Sequence, residues 1–443
     1  MQKEVHFKRI LISLVIAVIA YLIPFNITIK AHAMLFVAVF VAALWISEAV
    51  PLHATSFLAA FLLIIIVELN PVDVFAQFFD PVIVLLLGGF IIAVAMSKYD
   101  LDKYIAYKIL GKSGNIPNKV ILAIIFTTAF LSMWINNSSA AAIIMPIALV
   151  ILKKNNSKHG KSNFGKSLVL AVAYGATIGG IGTIVGSTPN VMAAKFLQDK
   201  GITFGFYHWF IRGFPFMLAL IFITWVVLIL LFKSEKKKIL IIKKKLTLNK
   251  EQKKVIFIFG LTILLWLTES IHGISSSVIA LVPIILLYFT GLLKTHDFLK
   301  VDWPTLILVG GGLALGYGIH NSSLDTSFAS ILENVTKGQN LFQLFLMLGI
   351  VGVLITVFVS NTTAAAVYLP IVVALASSFN SSITNVVVAA AIGVSLDFVF
   401  PFGTPPTAIA FSTRYVSMKD IAKTGIIISI LGILLLAGFA LVW

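Results

Sequence analysis

A chain of 443 residues that is 59% hydrophobic and 11% charged, with a mean hydropathy of +1.05, lies far from soluble globular composition, where about 25% of residues carry charge. It reads as an integral membrane protein, which excludes soluble enzymes, and the absence of cysteine excludes disulfide scaffolds, thiolate metal sites and a cysteine nucleophile. The net charge of +16 would suit nucleic acid in a soluble protein, but basic residues in a membrane protein mark cytoplasmic loops, so no nucleic-acid partner is expected.

Apolar runs at 9–25, 34–50, 54–69 and 81–97 precede a charge-dotted stretch at 101–112 that reads as interfacial. Two apolar arms follow, 121–135 and 140–152, then long runs at 167–194 and 206–232. The order recurs with 255–269, 276–293 and 304–320, a polar stretch near 322–337, arms at 341–359 and 364–376, and runs at 384–411 and 424–443. The predicted organisation is an N-terminal transmembrane helix in 1–30, a first repeat in 31–232, a lysine-rich linker in 233–254 and a second repeat in 255–443. Ala31-His32-Ala33 imitates a signal cleavage site, but the next span follows at once, so the first run is read as retained.

Lysine placement sets the orientation. With Lys3, Lys8 and Arg9 cytoplasmic, the same side collects the lysines of 98–119, those of 153–166, and Lys236, Lys237, Lys238, Lys243, Lys244 and Lys245 of the linker. Segments 70–80 and 377–385 contain no lysine or arginine and face outward. The pattern holds if the arms in 121–152 and in 341–376 form re-entrant hairpins, which gives about eleven spans, a plasma-membrane location and an extracytoplasmic C-terminus.

The halves match in detail. Leu87-Gly88-Gly89 corresponds to Gly310-Gly311-Gly312, Leu101-Asp102 to Leu324-Asp325, and Trp45-Ile46-Ser47-Glu48 to Trp266-Leu267-Thr268-Glu269. The strongest match sets Asn136-Asn137-Ser138-Ser139-Ala140-Ala141-Ala142 against Ser360-Asn361-Thr362-Thr363-Ala364-Ala365-Ala366; a further pair is Gly186-Ser187-Thr188-Pro189 with Gly403-Thr404-Pro405-Pro406. Five spans plus a hairpin is an odd number of crossings, so the second copy is inverted. Inverted repeats with interrupted helices are the architecture of secondary transporters, which bind substrate at the repeat interface near the midplane. The arms 141–152 and 364–376 read as too short to span, so that their tips meet in the middle.

The polar tetrads fit helix N-caps, and their duplication at equal depth points beyond capping. A helix starting at each tip aims free N–H groups and a positive dipole end inward, and the two glycine-proline breaks add two more starts. The ligand expected is small and anionic, with an acidic group for each half. Carbonyl ends, Asn oxygens and hydroxyls at the same breaks suit a hard monovalent cation, sodium first. Ser132 and Thr356 lie one turn before their tetrads on the same face.

These residues resemble the divalent-anion:sodium symporter family, the INDY-like carriers of dicarboxylates, tricarboxylates and sometimes sulfate. The family's Ser-Asn-Thr triplet is intact as Ser360-Asn361-Thr362 and altered to Asn136-Asn137-Ser138 in the first half. Trp45 through Pro51, with Glu48, and Gly179-Gly180-Ile181-Gly182-Thr183 are similar too. The resemblance implies an all-α polytopic homodimer with scaffold and transport domains and an elevator motion. It implies substrate contacts at Asn137, Ser138, Ser187, Asn361, Thr362, Thr404 and Pro405. It implies one sodium site at Ser132, Asn136, Asn137 and Gly186 and another at Thr356, Ser360, Asn361 and Gly403.

Three departures concern coupling. Asn136 replaces a serine, Thr407 stands where the family often has asparagine, and Asp397, roughly opposite Gly180 in the repeat, is an added charge in an apolar run. An intramembrane acid is functional by default, and Asp397 is read as a coupling residue. Altered Asn136 favours dicarboxylate exchange over sodium symport, with succinate, malate or 2-oxoglutarate as the expected substrate type ahead of citrate or sulfate. Lys98 and His320 are expected to snorkel at corresponding span ends, His53 to lie in a short interfacial turn, and Glu48 and Glu269 to cap and pair within the scaffold. An intramembrane enzyme lacks a zinc motif or Gly-x-Ser-x-Gly, and a channel would need a continuous polar stripe.

Overall fold

The computed structural model describes residues 6–25, 27–241, 247–327, 340–357, 359–376, 382–400 and 403–443. Lys3, Lys243, Lys244, Lys245 and the polar segments 328–337 and 377–381 lie outside the described residues. Every regular element among the described residues is helical. The first half comprises α1 (Phe7–Leu22), α2 (Ile29–Ser47), α3 (Leu52–Ile65), α4 (Pro71–Ala76), α5 (Pro81–Lys98), α6 (Leu101–Lys112), α7 (Pro117–Ser132), α8 (Asn137–Lys154), α9 (Asn163–Gly179), α10 (Thr188–Asp199) and α11 (Phe206–Leu231). The second comprises α12 (Lys250–Leu267), α13 (Glu269–His272), α14 (Ser276–Ile279), α15 (Leu281–Phe289), α16 (Thr295–Phe298), α17 (Trp303–Asn321), α18 (Leu341–Thr356), α19 (Asn361–Ala376), α20 (Ile383–Gly393), α21 (Pro405–Ser412) and α22 (Met418–Phe439).

Five helical stretches are long and apolar enough to cross a membrane by length and composition: Ile29–Ser47, Pro71–Lys98, Asn137–Lys154, Phe206–Leu231 and Met418–Phe439. Other expected spans are broken. The 167–194 run becomes α9 and α10, 276–293 becomes α14 and α15, and 384–411 becomes α20 and α21. One expectation is corrected here. The first polar tetrad does not delay its helix until Ala140, because Asn136 caps it and Asn137 is already helical. At about 1.5 Å per residue the 18-residue α8 is therefore not too short to span, and a hairpin reading rests on its pairing with α7.

The repeat is visible in the packing. The first arm of each hairpin lies against the first half of its own broken helix, α7 on α9 and α18 on α20. The second arms cross over, α8 onto α21 and α19 onto α10, so the halves interlock around the breaks. Helices α9 and α20 are buried almost end to end, whereas α1 buries only Ser13 and Ala17 and turns its large apolar side chains outward, as a lipid-facing helix would. The matched tryptophans perform one task in both halves: Trp45 Nε1 donates to Leu52 O at 3.2 Å and Trp266 Nε1 to Ser276 O at 2.9 Å, tying α2 to the start of α3 and α12 to the start of α14.

Close approach of α7 and α9 depends on Gly179. A Cβ there would lie 2.3 Å from Ala129 O and 2.5 Å from Ala129 Cα, both backbone atoms. Neither atom can swing aside, so the helices must separate to admit a methyl group. Gly179→Ala is expected to destabilise the protein by about 1–3 kcal/mol, read as a lowered melting temperature in detergent; an unchanged melting temperature would contradict this packing.

Candidate functional site

The first tip begins with Asn136, whose extended backbone and Oδ1, accepting from Ser139 N at 2.8 Å, cap α8. Its Nδ2 donates to Asp302 Oδ2 at 3.3 Å, and Asp302 in turn caps α17, accepting from Thr305 Oγ1 at 2.8 Å. The Asn136 side chain is thus committed on both ends. Asn137, one residue on, turns the other way. Its Oδ1 lies 2.7 Å from Ser132 Oγ, and that hydroxyl lies 2.6 Å from Ala176 O. Ser132 has one proton for both acceptors, so three oxygens crowd together around a single hydrogen. Such an electron-rich cluster suits a cation. A Cβ on Gly180 would stand 2.6 Å from Asn137 Oδ1 and 3.1 Å from Gly186 O, so the bare glycine leaves the space beside this cluster and the Gly186 carbonyl clear. Asn190 fixes the loop, its Nδ2 donating at 2.8 Å to both Gly180 O and Thr183 O.

The second tip repeats the plan with different bonding. Ser360 Oγ accepts from Thr363 N at 3.3 Å and donates to Thr363 Oγ1 at 2.9 Å. Thr356, fully buried, spends its hydroxyl on its own helix, 2.9 Å from Gly352 O and 3.1 Å from Val353 O. Asn361 Oδ1 therefore receives nothing from it and is buried without a hydrogen-bond partner among the described residues. Thr407 provides a smaller version of the Asn190 brace, with its Oγ1 2.7 Å from Thr404 O and 3.2 Å from Phe400 O.

Both tips open onto one cavity of about 250 Å³, small beside the roughly 300–1,000 Å³ typical of drug-sized sites. The first half contributes Asn136, Asn137, Ser138, Gly186, Ser187 and Thr188, and the second Ser360, Asn361, Thr362, Gly403, Thr404 and Pro405. Thr188 Oγ1 and Thr362 Oγ1 meet at 2.5 Å and join the halves. The starts of α8, α10, α19 and α21 all reach this volume, bringing the positive dipole ends of four helices to it. No lysine or arginine lines the cavity, and Asp302 is its charged lining residue. Of the sequence-predicted residues, Ser132, Thr356 and Asp397 lie outside the lining and are buried. No group of three or more His, Asp or Glu side chains gathers among the described residues; the oxygens at the first tip come from a hydroxyl, an amide and backbone carbonyls, ligand types that suit a hard monovalent ion.

A larger cavity of about 390 Å³ adjoins the site, sharing Phe90, Asn136 and Asp302 and reaching Lys98, Asp102 and Lys300. On the opposite side a cavity of about 260 Å³ near His320 and Asp325 shares no lining residue with the site. The site therefore opens toward the Lys98 end. Lys195, near the end of α10, is held between Asp80 at 2.9 Å and Asp199 at 2.6 Å.

Several sequence readings change. Lys98 does not snorkel freely: its Nζ pairs with Asp297 Oδ2 at 2.7 Å and donates to Leu292 O at 2.8 Å. His320 is likewise engaged, 2.8 Å from Asp325 Oδ2. His53 lies in the first turn of α3 rather than in a loop. Glu269 accepts from Ser276 N at 3.2 Å, while Glu48 takes a left-handed conformation at the end of α2. Gly180 and Asp397 do not correspond by helix ends, because the first break spans 180–187 and the second 394–404, eight residues against eleven. Sequence reasoning missed Ala176, a backbone carbonyl without side-chain signal. It also missed Asp302, though Asp80-Pro81 and Asp302-Trp303-Pro304 are matched caps in the two halves.

Burial alone would raise the Asp297 carboxyl, but hydrogen bonds from Lys300, Lys98 and the Lys294 N–H hold it well below the ordinary carboxylate range. A carboxylate so lowered contributes stability in full above its unfolded pKa of about 3.9 and loses it as pH falls further. The melting temperature in detergent is expected to fall on acidification through this range, and Asp297→Asn to be less stable at neutral pH with a shallower acid slope. An identical slope in the variant would contradict the assignment.

Two helix breaks of matched sequence with a small polar cavity between the halves mark a membrane transporter. The chain belongs to the family described as the sodium:sulfate symporter transmembrane region, whose model matches residues 4–443. It is 31% identical over 447 residues to the sodium-dependent dicarboxylate transporter SdcS of Staphylococcus saprophyticus, covering 93% of this chain and 86% of that protein, and the SdcS of Staphylococcus aureus matches equally. Among solved structures, the fold is similar to the YdaH transporter of Alcanivorax borkumensis (TM-score 0.55, 14% identity, 84% of this chain and 87% of that one). It is also similar to MtrF of Neisseria gonorrhoeae (TM-score 0.59, 13% identity, 99% and 94%).

Proposed function

We propose that this protein is a sodium-coupled carrier of small dicarboxylates across the plasma membrane. The observation that carries the reading is the oxygen cluster of Ser132, Asn137 and Ala176 beside a cavity fed by four helix starts. A dianion of succinate, malate or 2-oxoglutarate type meets N–H groups and hydroxyls from both halves, one carboxylate toward each tip. The names of the relatives, sodium-dependent dicarboxylate transporters, support both the substrate class and the coupling ion.

Exchange loses its main argument. That preference rested on Asn136 altering the first cation site, yet the Asn136 side chain is engaged by Ser139 and Asp302, while it is Asn137 that bonds Ser132. Asn137, Ser132 and the Gly186 carbonyl remain as sodium ligands, with the Ala176 carbonyl added. Asn361 and Gly403 supply oxygens on the second side. A neutral cage without arginine binds its anion strongly only when a cation is beside it, which links the two binding events.

The carrier works as an elevator in a homodimer, as the resemblance implies, with the hairpins, α9 to α11 and α20 to α22 moving against the rest. Two bonds cross between these groups in this state and would have to break in the motion: Asn136 with Asp302, and Lys195 with Asp80. The lysine bias makes the Lys98 end cytoplasmic, so the cavity that opens there corresponds to an inward-facing state.

Labelled succinate uptake into proteoliposomes, with sodium and internal dicarboxylate varied independently, tests the reading. Uptake into empty vesicles is expected to require external sodium; uptake that needs internal dicarboxylate and ignores sodium would overturn it. Asn361→Ala and Thr362→Ala are expected to abolish uptake in folded protein, and Ser132→Ala to raise the half-saturating sodium concentration about tenfold, the equivalent of about 1.4 kcal/mol.

A further inference from the structure

We infer that the Asp397 carboxylate is a cation ligand at the second tip, giving that site a fixed negative charge the first one lacks. The inference rests on the sodium-coupled reading above and assigns to this chain a ligand of its own. Asp397 is 1% exposed and sits in the longer of the two breaks. Its Oδ1 accepts a 3.3 Å hydrogen bond from Val399 N, and its Oδ2 is buried with no hydrogen-bond partner among the described residues.

The direction of that free oxygen is what assigns it. A Cβ on Gly403 would lie 2.1 Å from Asp397 Oδ2, so the carboxylate fills the space a side chain at 403 would need. Gly403 and Asn361 line the same cavity, and Asn361 Oδ1 is the other buried acceptor near this tip without a donor. In the first half the corresponding asparagine oxygen has the Ser132 hydroxyl; here Thr356 has turned back to Gly352 and Val353. The second tip thus gathers two bare acceptors where the first has one satisfied.

A buried carboxylate without a partner is costly, and no cation among the described residues pairs with this one. On the elements packed against it, Lys166 and Asp420 are bonded to each other at 2.9 Å, and the Tyr174 hydroxyl donates to Ile421 O. A hard monovalent cation between Asp397, Asn361 Oδ1 and the Gly403 backbone removes the imbalance with the ligand types sodium prefers. The added charge also explains Gly403 itself, since any larger residue would displace the carboxylate. The consequence is that the second site holds its cation more tightly than a neutral site would.

Thermal melting of purified protein in detergent, titrated with sodium chloride against choline chloride at constant ionic strength, tests the assignment apart from transport. Sodium is expected to raise the wild-type melting temperature by mass action, and Asp397→Asn to shift the midpoint of that rise about tenfold upward, with Asp397→Glu retaining a sodium response. Gly403→Ala, whose methyl meets Oδ2, is expected to shift the midpoint in the wild-type background and to add little in Asp397→Asn, the non-additivity of groups in contact. If Asp397→Asn fails to fold, Gly403→Ala against Asp397→Glu carries the comparison. A midpoint unchanged by Asp397→Asn, additive effects of the two substitutions, or a wild-type protein indifferent to sodium overturns the assignment. Succinate uptake run on the same preparations separates the two ideas. Uptake without sodium-dependent melting sinks the ligand and leaves the carrier, whereas no uptake with a melting midpoint shifted upward by Asp397→Asn sinks the carrier and leaves the ligand.

Discussion

Inside a bilayer every backbone N–H and C=O must find a partner within the protein or in an internal watery cavity. Breaking a helix at depth is therefore expensive, and this protein does it at four places around one small volume. The breaks survive because each half supplies what the other exposes. The second arm of each hairpin packs on the far part of the other half's broken helix, Thr188 meets Thr362, and Asn190 and Thr407 brace their loops against neighbouring carbonyls. What is left over is a set of helix-start N–H groups and carbonyl or amide oxygens, one suited to an anion and the other to a cation.

That complementarity gives the coupling a physical basis. The cavity has no fixed positive charge in its lining and carries the acid Asp302 at its rim, so a dianion gains little there on its own. In the proposed carrier, cations held behind the tips by Ser132, Asn137 and Ala176, and by Asn361 with Asp397, would supply the missing positive charge within a short distance, where the low dielectric strengthens attraction. A site assembled this way releases its anion when the cation leaves.

Much of this was readable in the sequence. The two tetrads and the two glycine-proline breaks stand in register in both halves, and they all line one cavity. The matched tryptophans and Glu269 proved to be joints between neighbouring helices. What escaped the sequence has physical reasons. Ala176 acts through a carbonyl that any residue would have. The second arm was expected to start at residue 140, after the tetrad, yet Asn136 caps a helix that already includes Asn137, because asparagine and serine tolerate a first turn that they disfavour further in. Lys98 looked like an interfacial lysine because Asp297, its partner at 2.7 Å, lies about two hundred residues away in the chain. The apparent pairing of Gly180 with Asp397 depended on counting back from the second helix of each break, and the extra length of 394–404 shows only when both ends are known.

The central claim is that the tips of the two inverted halves meet at one shared binding cavity, and the cysteine-free sequence allows a clean measurement of it. Thr188→Cys combined with Thr362→Cys, oxidised in native membranes and followed by a shift in gel mobility after cleavage of an engineered protease site in the 233–254 linker, reports their proximity. Rapid cross-linking that succinate with sodium slows is the predicted result. Two thiols that each react with a maleimide but never join under oxidant would contradict the account.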